Sequence, residues 1–240
     1  MSALLHFTEH RLQEVTLVIM AITYTLRIRW LLRFKAGRER QAPTATIGAS
    51  DAHRKGVAYS WAIIGMPWAM ESTRRHRWLY VQFVLFHLGV TAAIVMSFLI
   101  PYAPDVLTAR PVVPLLQALM AAACLIGCYR FYRRVSDKVM RRISTPDDYF
   151  SLALLTVWFF VATLAAPNRP DRGEAPLVVY FVMTAFFLLY VPFSKISHYL
   201  YYPFTRYYFG RSMGHRGVYP VRRQAGVAVR QGDRQARSGA

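Results

Sequence analysis

Five apolar runs, each long enough to cross a lipid bilayer, dominate this sequence of 240 residues. A helix needs roughly 20 mostly apolar residues to span the hydrocarbon core. The charged residues fall in blocks between these runs, whereas a soluble basic protein spreads them over its faces. This segregation predicts an all-α, polytopic membrane protein with five transmembrane helices. The predicted spans are residues 15–32, 78–100, 112–132, 149–166 and 176–200.

The first run is the least apolar of the five, because Arg27 and Arg29 lie near its end. Long arginine side chains can extend along the helix and place their charge among the lipid headgroups. We therefore interpret the run as a span.

The distribution of Lys and Arg predicts the orientation of the chain. The segments before the first span, between the second and third, and between the fourth and fifth hold only Arg11, Arg110, Arg169 and Arg172. All the other basic residues lie on or beside the alternate segments, at 27–77, 130–142 and from 195 onward. We expect the N-terminus outside and the C-terminus in the cytoplasm, in a prokaryotic plasma (inner) membrane.

The connections divide the chain into a membrane domain, residues 1–209, and a basic cytoplasmic tail, residues 210–240, that is predicted to be flexible. The longest connection begins with a polar stretch containing GASD, which predicts a loop. The segment GVAYSWAIIGMPWAM, at about 56–70, is too short to cross the bilayer. It is typical of a piece that lies at the membrane interface or against a partner.

The net charge of +18 permits several explanations. We do not expect nucleic-acid binding, because the basic residues occupy connections between spans and form no recognition motif. Positive-inside topology with anionic lipid explains most of the charge. Docking of an acidic cytoplasmic partner is the second explanation, since the Arg-rich tail exceeds what topology requires.

Two of the seven histidines, His87 and His198, lie inside predicted spans, where a titratable side chain is costly and usually functional. The other five fall in polar or membrane-edge segments: His6, His10, His53, His76 and His215.

His87 and His198 are predicted to lie at similar depths in the cytoplasmic half of the membrane. His87 is about 15 Å along the helix from Arg77, and His198 about 12 Å from Arg206, at about 1.5 Å per residue. Two facing helices can hold a porphyrin between such residues. We therefore predict that the pair provides the two axial ligands of one haem b. The alternative is that each imidazole only forms a hydrogen bond with a neighbouring helix.

Four cations lie where they could reach the propionate groups of such a haem, and the sequence favours none of them: Arg74, Arg77, Lys195 and Arg206.

Three segments resemble one known family. LFHLGV around His87, STPDDYFSL at the start of the fourth run and PFSKISH around His198 are similar to the gamma-subunit family of respiratory nitrate reductase. The likeness is greater to its relatives in heterodisulfide-reductase-like and sulfite-reductase-associated membrane complexes. The resemblance implies a five-span cytochrome b that passes electrons between membrane quinone and a cytoplasmic iron–sulfur subunit.

The chain departs from the two-haem members of that family at the outer haem. Those members have a histidine ten residues after the first ligand and another eighteen residues before the second. Here these positions are Ser97 and Tyr180. The resemblance therefore implies a single-haem member that keeps only the pair on the cytoplasmic side. With the outer haem gone, we expect either quinone chemistry nearer the remaining haem or a haem that relays electrons without a nearby quinone.

We expect an electron-transfer subunit with no residues for substrate catalysis in this chain. One rival function is a haem-free anchor or assembly subunit of the same kind of complex. The other is a small transporter, which would need polar residues along a pathway at mid-membrane. No carboxylate lies inside a predicted span, and this argues against a proton-coupled transporter.

Overall fold

The computed structural model describes residues 2–35, 37, 42 and 49–221, and within them the chain is helical and has no strand. We number nine α-helices in chain order: α1 (Ala3–Leu32), α2 (Ala49–Ala62), α3 (Glu71–Arg75), α4 (Arg77–Tyr102), α5 (Val112–Ser136), α6 (Lys138–Ile143), α7 (Pro146–Ala165), α8 (Ala175–Tyr190) and α9 (His198–His215). Short 3-10 segments follow α2, α4 and α8 and precede α8 and α9.

Five helices in the described part of the chain are long and apolar enough to cross a membrane, which confirms the predicted all-α architecture. Their bounds are Ala3–Leu32, Arg77–Tyr102, Val112–Ser136, Pro146–Ala165 and Ala175–Phe193. Many large apolar side chains on these helices point outward. Leu26, Leu125 and Phe160 are each more than half exposed. An apolar exterior of this extent is typical of a surface that contacts lipid.

The chain divides into two compact units. The first consists of Met1–Lys35 and His76–Leu200 and contains the five spans. Its core includes Met96, Met120, Phe159 and Tyr180, all with no exposed surface. Small residues bring these helices together. A Cβ atom on Gly89 would overlap Ala123, and one on Gly127 would overlap the Thr156 side chain.

Helix α1 begins at Ala3, well before the predicted start of the first span at residue 15. Its early part, Phe7–Leu12, is a π-helix. The buried face of this region is polar, with Glu9 and Gln13 nearly inaccessible to solvent, and the Gln13 amide donates to the Ser97 carbonyl at 2.9 Å. The statement that no carboxylate lies inside a span is therefore wrong. Glu9 and Glu14 lie within the first spanning helix, and Asp147 and Asp148 lie in the first turn of the fourth.

The fifth spanning helix ends at Phe193 and not at residue 200 as predicted. Pro192 lies in a 3-10 turn there and has no backbone N–H to continue a helix. Ser194 then adopts an extended conformation, and its side chain accepts a hydrogen bond from the backbone N–H of Ile196. His198 consequently lies at the start of α9, just past the span, and not inside an apolar helix.

The second unit, Ala36–Arg75 and Tyr201–Ala240, contains α2, α3 and most of α9. Glycines allow a close contact between α2 and α9. A Cβ atom on Gly56 would lie 2.7 Å from the Cα of Gly214, and one on Gly210 would lie 2.6 Å from the carbonyl oxygen of Gly56. This contact explains why α9 continues to His215, past residue 209 where the flexible tail was predicted to begin.

Two further expectations concern this unit. Helix α2 begins at Ala49, so residues 49–51 of the GASD stretch are helical and do not form the predicted loop. The proposed interfacial segment at about 56–70 contains the end of α2 and the 3-10 turn Ile63–Gly65. Residues 222–240 of the predicted tail lie outside the described residues.

Candidate functional site

His87 lies near the middle of α4 with its ring half-buried. Its Nδ1 is 2.7 Å from the carbonyl oxygen of Phe83, one helical turn earlier. A carbonyl oxygen can only accept, so this Nδ1 donates, and the neutral ring leaves Nε2 with its lone pair. The Phe83 ring also packs against the imidazole, with ring centroids 4.2 Å apart. Both contacts restrict the orientation of the ring.

His198 has the same arrangement, although it lies in a different local structure. Its Nδ1 is 3.1 Å from the carbonyl oxygen of Lys195 and therefore donates to it. The turn that presents this carbonyl is held by two serines. The Ser194 hydroxyl caps the backbone N–H of Ile196, and the Ser197 hydroxyl donates to the Ser194 carbonyl at 2.8 Å.

The structure brings His87 and His198 together in the first unit. Their ring centroids are 6.3 Å apart and their planes are nearly perpendicular, at 83°. Iron is held roughly 2 Å from each ligating nitrogen, and a ring centroid lies about 1 Å beyond its nitrogen, so two imidazoles on opposite sides of one iron have centroids about 6 Å apart. The observed separation matches this requirement.

Neither Nε2 atom has a hydrogen-bond partner among the residues that the structure describes. Both Nδ1 atoms bond to carbonyls of their own segment, at Phe83 and Lys195, and not to a neighbouring helix. A histidine that binds a metal through one ring nitrogen usually donates a hydrogen bond from the other. That bond fixes the tautomer and the ring orientation. The pair thus has the donor atoms and spacing that fit a bis-histidine haem.

A polar cluster at the start of α7 holds the turn that carries His198. The Lys195 ammonium donates to both carboxylate oxygens of Asp148, each at 3.0 Å, and to the Thr145 hydroxyl at 2.8 Å. Asp148 also accepts from the backbone N–H of Thr145 at 2.7 Å, which caps the helix. Arg134 of α5 adds a longer ion pair with Asp148, at 3.7 Å. The STPDD and PFSKISH segments are therefore in direct contact.

A second set of bonds joins the first turns of α7 to the end of α8. The Tyr190 hydroxyl, at the end of α8, donates to Asp147 at 2.5 Å and lies 2.9 Å from the Ser151 hydroxyl. Together with the Asp148–Lys195 contact, these bonds fix the chain on both sides of the break at Pro192.

The positions of a second, outer haem are filled by packed side chains. Tyr180 has no exposed surface and donates its hydroxyl to the Ala93 carbonyl at 2.5 Å. It stacks on Trp158, with ring centroids 6.2 Å apart and planes within 10° of parallel. Ser97 is buried, and its hydroxyl donates to the Ile94 carbonyl at 2.8 Å. These residues do not fit a second bis-histidine haem, since neither is a histidine and both hydroxyls donate to backbone carbonyls within the protein.

The sequence reasoning missed several residues around the pair. The Lys195–Asp148 contact joins residues far apart in the chain, and no sequence pattern indicated it. Arg130 of α5 was also missed, although it stands at the inner edge of a basic block. Its guanidinium carbon lies 5.4 Å from the centroid of the buried Phe86 ring, beside His87.

The four cations expected near the propionates differ in their partners, their exposure and the unit to which they belong. Lys195 is paired with Asp148. Arg77 is exposed at the first residue of α4. Arg74 and Arg206 belong to the second unit.

No protein-family model and no solved structure matches the chain. A curated protein of Nitratidesulfovibrio vulgaris, whose name states no activity, is similar to it. The two are 28% identical over 182 residues, which cover 72% of this chain and 76% of that protein.

Proposed function

We propose that this chain is a haem b-containing membrane subunit that relays electrons between the quinone pool and a cytoplasmic iron–sulfur partner. The observation that carries the proposal is the His87–His198 pair. Its rings are 6.3 Å apart, and both Nδ1 atoms are bonded to backbone carbonyls, so both Nε2 atoms are available to iron. The haem would supply a one-electron carrier within the low-dielectric interior of the membrane.

The residues of the chain contribute orientation and exclusion of water. Phe83 and Lys195 hold the two imidazoles through their carbonyls, and Asp148 fixes Lys195. The packed aromatic core around Tyr180 and Phe159 closes the membrane interior on the side of Ser97. Because Ser97 and Tyr180 stand where the two-haem relatives have histidines, we expect one haem per chain and quinone chemistry near the His87–His198 pair.

The proposed orientation has the N-terminus outside and the C-terminus in the cytoplasm of a prokaryotic plasma membrane. The support is the distribution of Lys and Arg, which concentrates on alternate connections. Reporter enzymes fused after residue 33 and after residue 106 should report opposite sides, with the first in the cytoplasm. The reverse assignment would contradict the proposed orientation.

The proposed partner is the acidic surface of an iron–sulfur subunit of a heterodisulfide-reductase-like or related complex, and lipid covers the spans. The support is the excess of basic residues on the predicted cytoplasmic side. A tagged chain purified from its native membrane should copurify with an iron–sulfur protein. If it purifies alone and moves a solute instead, the transporter alternative is favoured.

A reduced-minus-oxidised spectrum of the purified chain tests the haem directly. We expect an α-band in the wild type and its loss in His87→Ala and in His198→Ala. His53→Ala in the second unit serves as the control and should keep the band. A band that survives both ligand substitutions would refute the proposed ligands, whereas a wild type without any band would favour the haem-free anchor.

Quinone involvement has a separate test. Addition of a quinol to the purified chain in lipid vesicles should reduce the haem, and a quinone analogue should slow this reduction. Reduction kinetics and a haem spectrum that do not respond to the analogue would contradict a quinone site near the pair, while leaving the haem assignment intact.

A further inference from the structure

Arg130 lies beside the Phe86 ring, next to His87 in α4. It lies on the third span, half-buried, and forms no hydrogen bond or ion pair with any residue that the structure describes. Its guanidinium carbon is 5.4 Å from the centroid of the Phe86 ring. Phe86 is itself buried, with its ring against Phe159. The guanidinium therefore lies against the protein core.

A cation in this position calls for an anionic partner. An unpaired charge within a membrane is costly, and such residues almost always pair or border a functional group. The nearby basic residues cannot be this partner, because their positive charges repel the Arg130 guanidinium. Arg134, one turn further along α5, already has Asp148 as its partner. Arg130 lies against Phe86, whose ring centroid is 6.2 Å from that of His87, so an anion bound to Arg130 would lie near the imidazole.

The depth of Arg130 fits the carboxylate end of a haem. Arg130 is about 9 Å from the end of α5 at Ser136, and His87 about 15 Å from the start of α4 at Arg77, at about 1.5 Å per residue. Consecutive spans run in opposite directions, so both distances are measured from the same membrane face. Arg130 thus lies several ångström nearer that face than His87, and His198 lies just past the end of the fifth span. Haem propionates extend from the porphyrin edge toward a polar face over a comparable distance.

We propose that the Arg130 guanidinium binds a propionate carboxylate of the haem held by His87 and His198. The inference rests on the proposed function and adds a cation to the four that the sequence placed within reach of the propionates. Arginine suits this task because its planar group can donate two parallel hydrogen bonds to one carboxylate. Arg130 acts on the iron through the propionate and is therefore a positioning residue.

The effect of the charge has a definite sign. Reduction removes one positive charge from the iron centre, so a nearby cation favours the reduced form. Loss of the Arg130 charge should lower the haem potential. For a charge about 10 Å away in a partly polar environment, the ratio of reduced to oxidised haem at a fixed ambient potential should fall about tenfold, which is about 59 mV for one electron.

The test is a redox titration of the full-length chain in four forms: wild type, Arg130→Gln, Arg130→Lys and Arg141→Gln. Arg130→Gln should show the lower potential. Arg130→Lys keeps the charge and should restore most of the wild-type value. Arg141→Gln removes the same charge from the exposed helix α6 and should change little.

The outcomes are distinguishable. An Arg130→Gln protein with the wild-type potential overturns the proposal. If Arg130→Gln loses its haem, Arg130→Lys decides: haem bound near the wild-type potential supports the propionate contact, and loss of haem in both variants overturns it. A wild type without haem instead refutes the proposed function itself.

Discussion

Asp148 and Lys195 join the start of the fourth span to the turn that carries His198. Both carboxylate oxygens of Asp148 lie 3.0 Å from the Lys195 ammonium, and the carbonyl of the same lysine accepts from His198 Nδ1 at 3.1 Å. One residue therefore links the polar cluster at the helix start to the proposed iron ligand. This relationship gives the PFSKISH segment a physical role in orienting the imidazole.

Removal of the Lys195 side chain should weaken haem binding more than it weakens the fold. Lys195 is more than half exposed, and exposed ion pairs contribute about 1 kcal/mol or less to stability. Residues that orient a metal ligand typically change affinity by roughly 10- to 100-fold. We expect a loss of this size in Lys195→Ala, measured by haem transfer to apomyoglobin.

Two further variants serve as controls for the Lys195 prediction. Lys195→Arg keeps the cation and should retain most of the affinity. Lys138→Ala removes an exposed lysine from the start of α6 and should have no effect. Equal haem affinity in Lys195→Ala and the wild type would show that the turn holds His198 without the contact to Asp148.

Tyr180 should contribute to stability through packing more than through its hydroxyl. Tyr180→Phe removes the bond to the Ala93 carbonyl and should lower the free energy of unfolding by about 1 kcal/mol. Tyr180→Ala empties a fully buried site and should cost about 3–5 kcal/mol. Phe186→Ala, on the exposed face of the same helix, is the control and should cost far less. Reversible unfolding in mixed micelles measures all three, and equal costs for Tyr180→Ala and Phe186→Ala would contradict the packing.

The close contact between α2 and α9 should not tolerate a methyl group at Gly56. A Cβ atom there would overlap the Gly210 carbonyl oxygen and approach the Cα of Gly214 to 2.7 Å, so the helices would have to separate. We expect Gly56→Ala to destabilise this contact by about 1–3 kcal/mol. Gly65→Ala is the control, because nothing lies within 4 Å of its added Cβ.

Amide hydrogen exchange of residues 49–62 reports on this contact. Faster exchange in Gly56→Ala, with unchanged exchange in Gly65→Ala, is the predicted result. Identical protection in the two variants would show that the two helices do not depend on the glycine contact.

The same contact should weaken at mildly acidic pH because of His53. The His53 Nε2 lies 3.2 Å from the His215 Nδ1. Burial lowers the pKa of His53 below its ordinary value of 6.5, and the charge of Arg211 and the neighbouring His215 act in the same direction. A lowered pKa means that the unfolded state binds the proton more readily.

The stability contributed by neutral His53 is therefore complete above pH 6.5 and is lost progressively as the pH falls from 6.5 toward the lower folded-state pKa. Exchange of residues 49–62, corrected for the intrinsic pH dependence, should accelerate as the pH falls below 6.5. His53→Gln should flatten this dependence. An unchanged slope in His53→Gln would assign the effect to another group.

The five spans could be predicted from hydropathy because lipid requires long apolar helices. Their ends could not. Helix α1 begins at Ala3, earlier than hydropathy indicates. Its early inward face is polar, with Gln13 bonded to the Ser97 carbonyl, and such a face lowers the apparent hydropathy. The end of the fifth span depends on one proline, Pro192, and on the capping of the turn by Ser194.

The candidate site, like the spans, could be predicted only in part. His87 and His198 were predicted as a pair from their cost in a membrane and from the family resemblance, and the structure places their rings 6.3 Å apart. The residues around them depend on contacts between distant segments. Lys195 was considered only as a propionate partner, whereas it pairs with Asp148, and Arg130 was counted only as part of a basic block.

Haem content per chain tests the central claim most directly. Haem b is measured as its pyridine complex in the purified wild-type protein, and the chain is quantified by amino-acid analysis. One haem per chain, falling to none in both His87→Ala and His198→Ala, is the predicted result. Two haems per chain, or none in the wild type, would contradict the account.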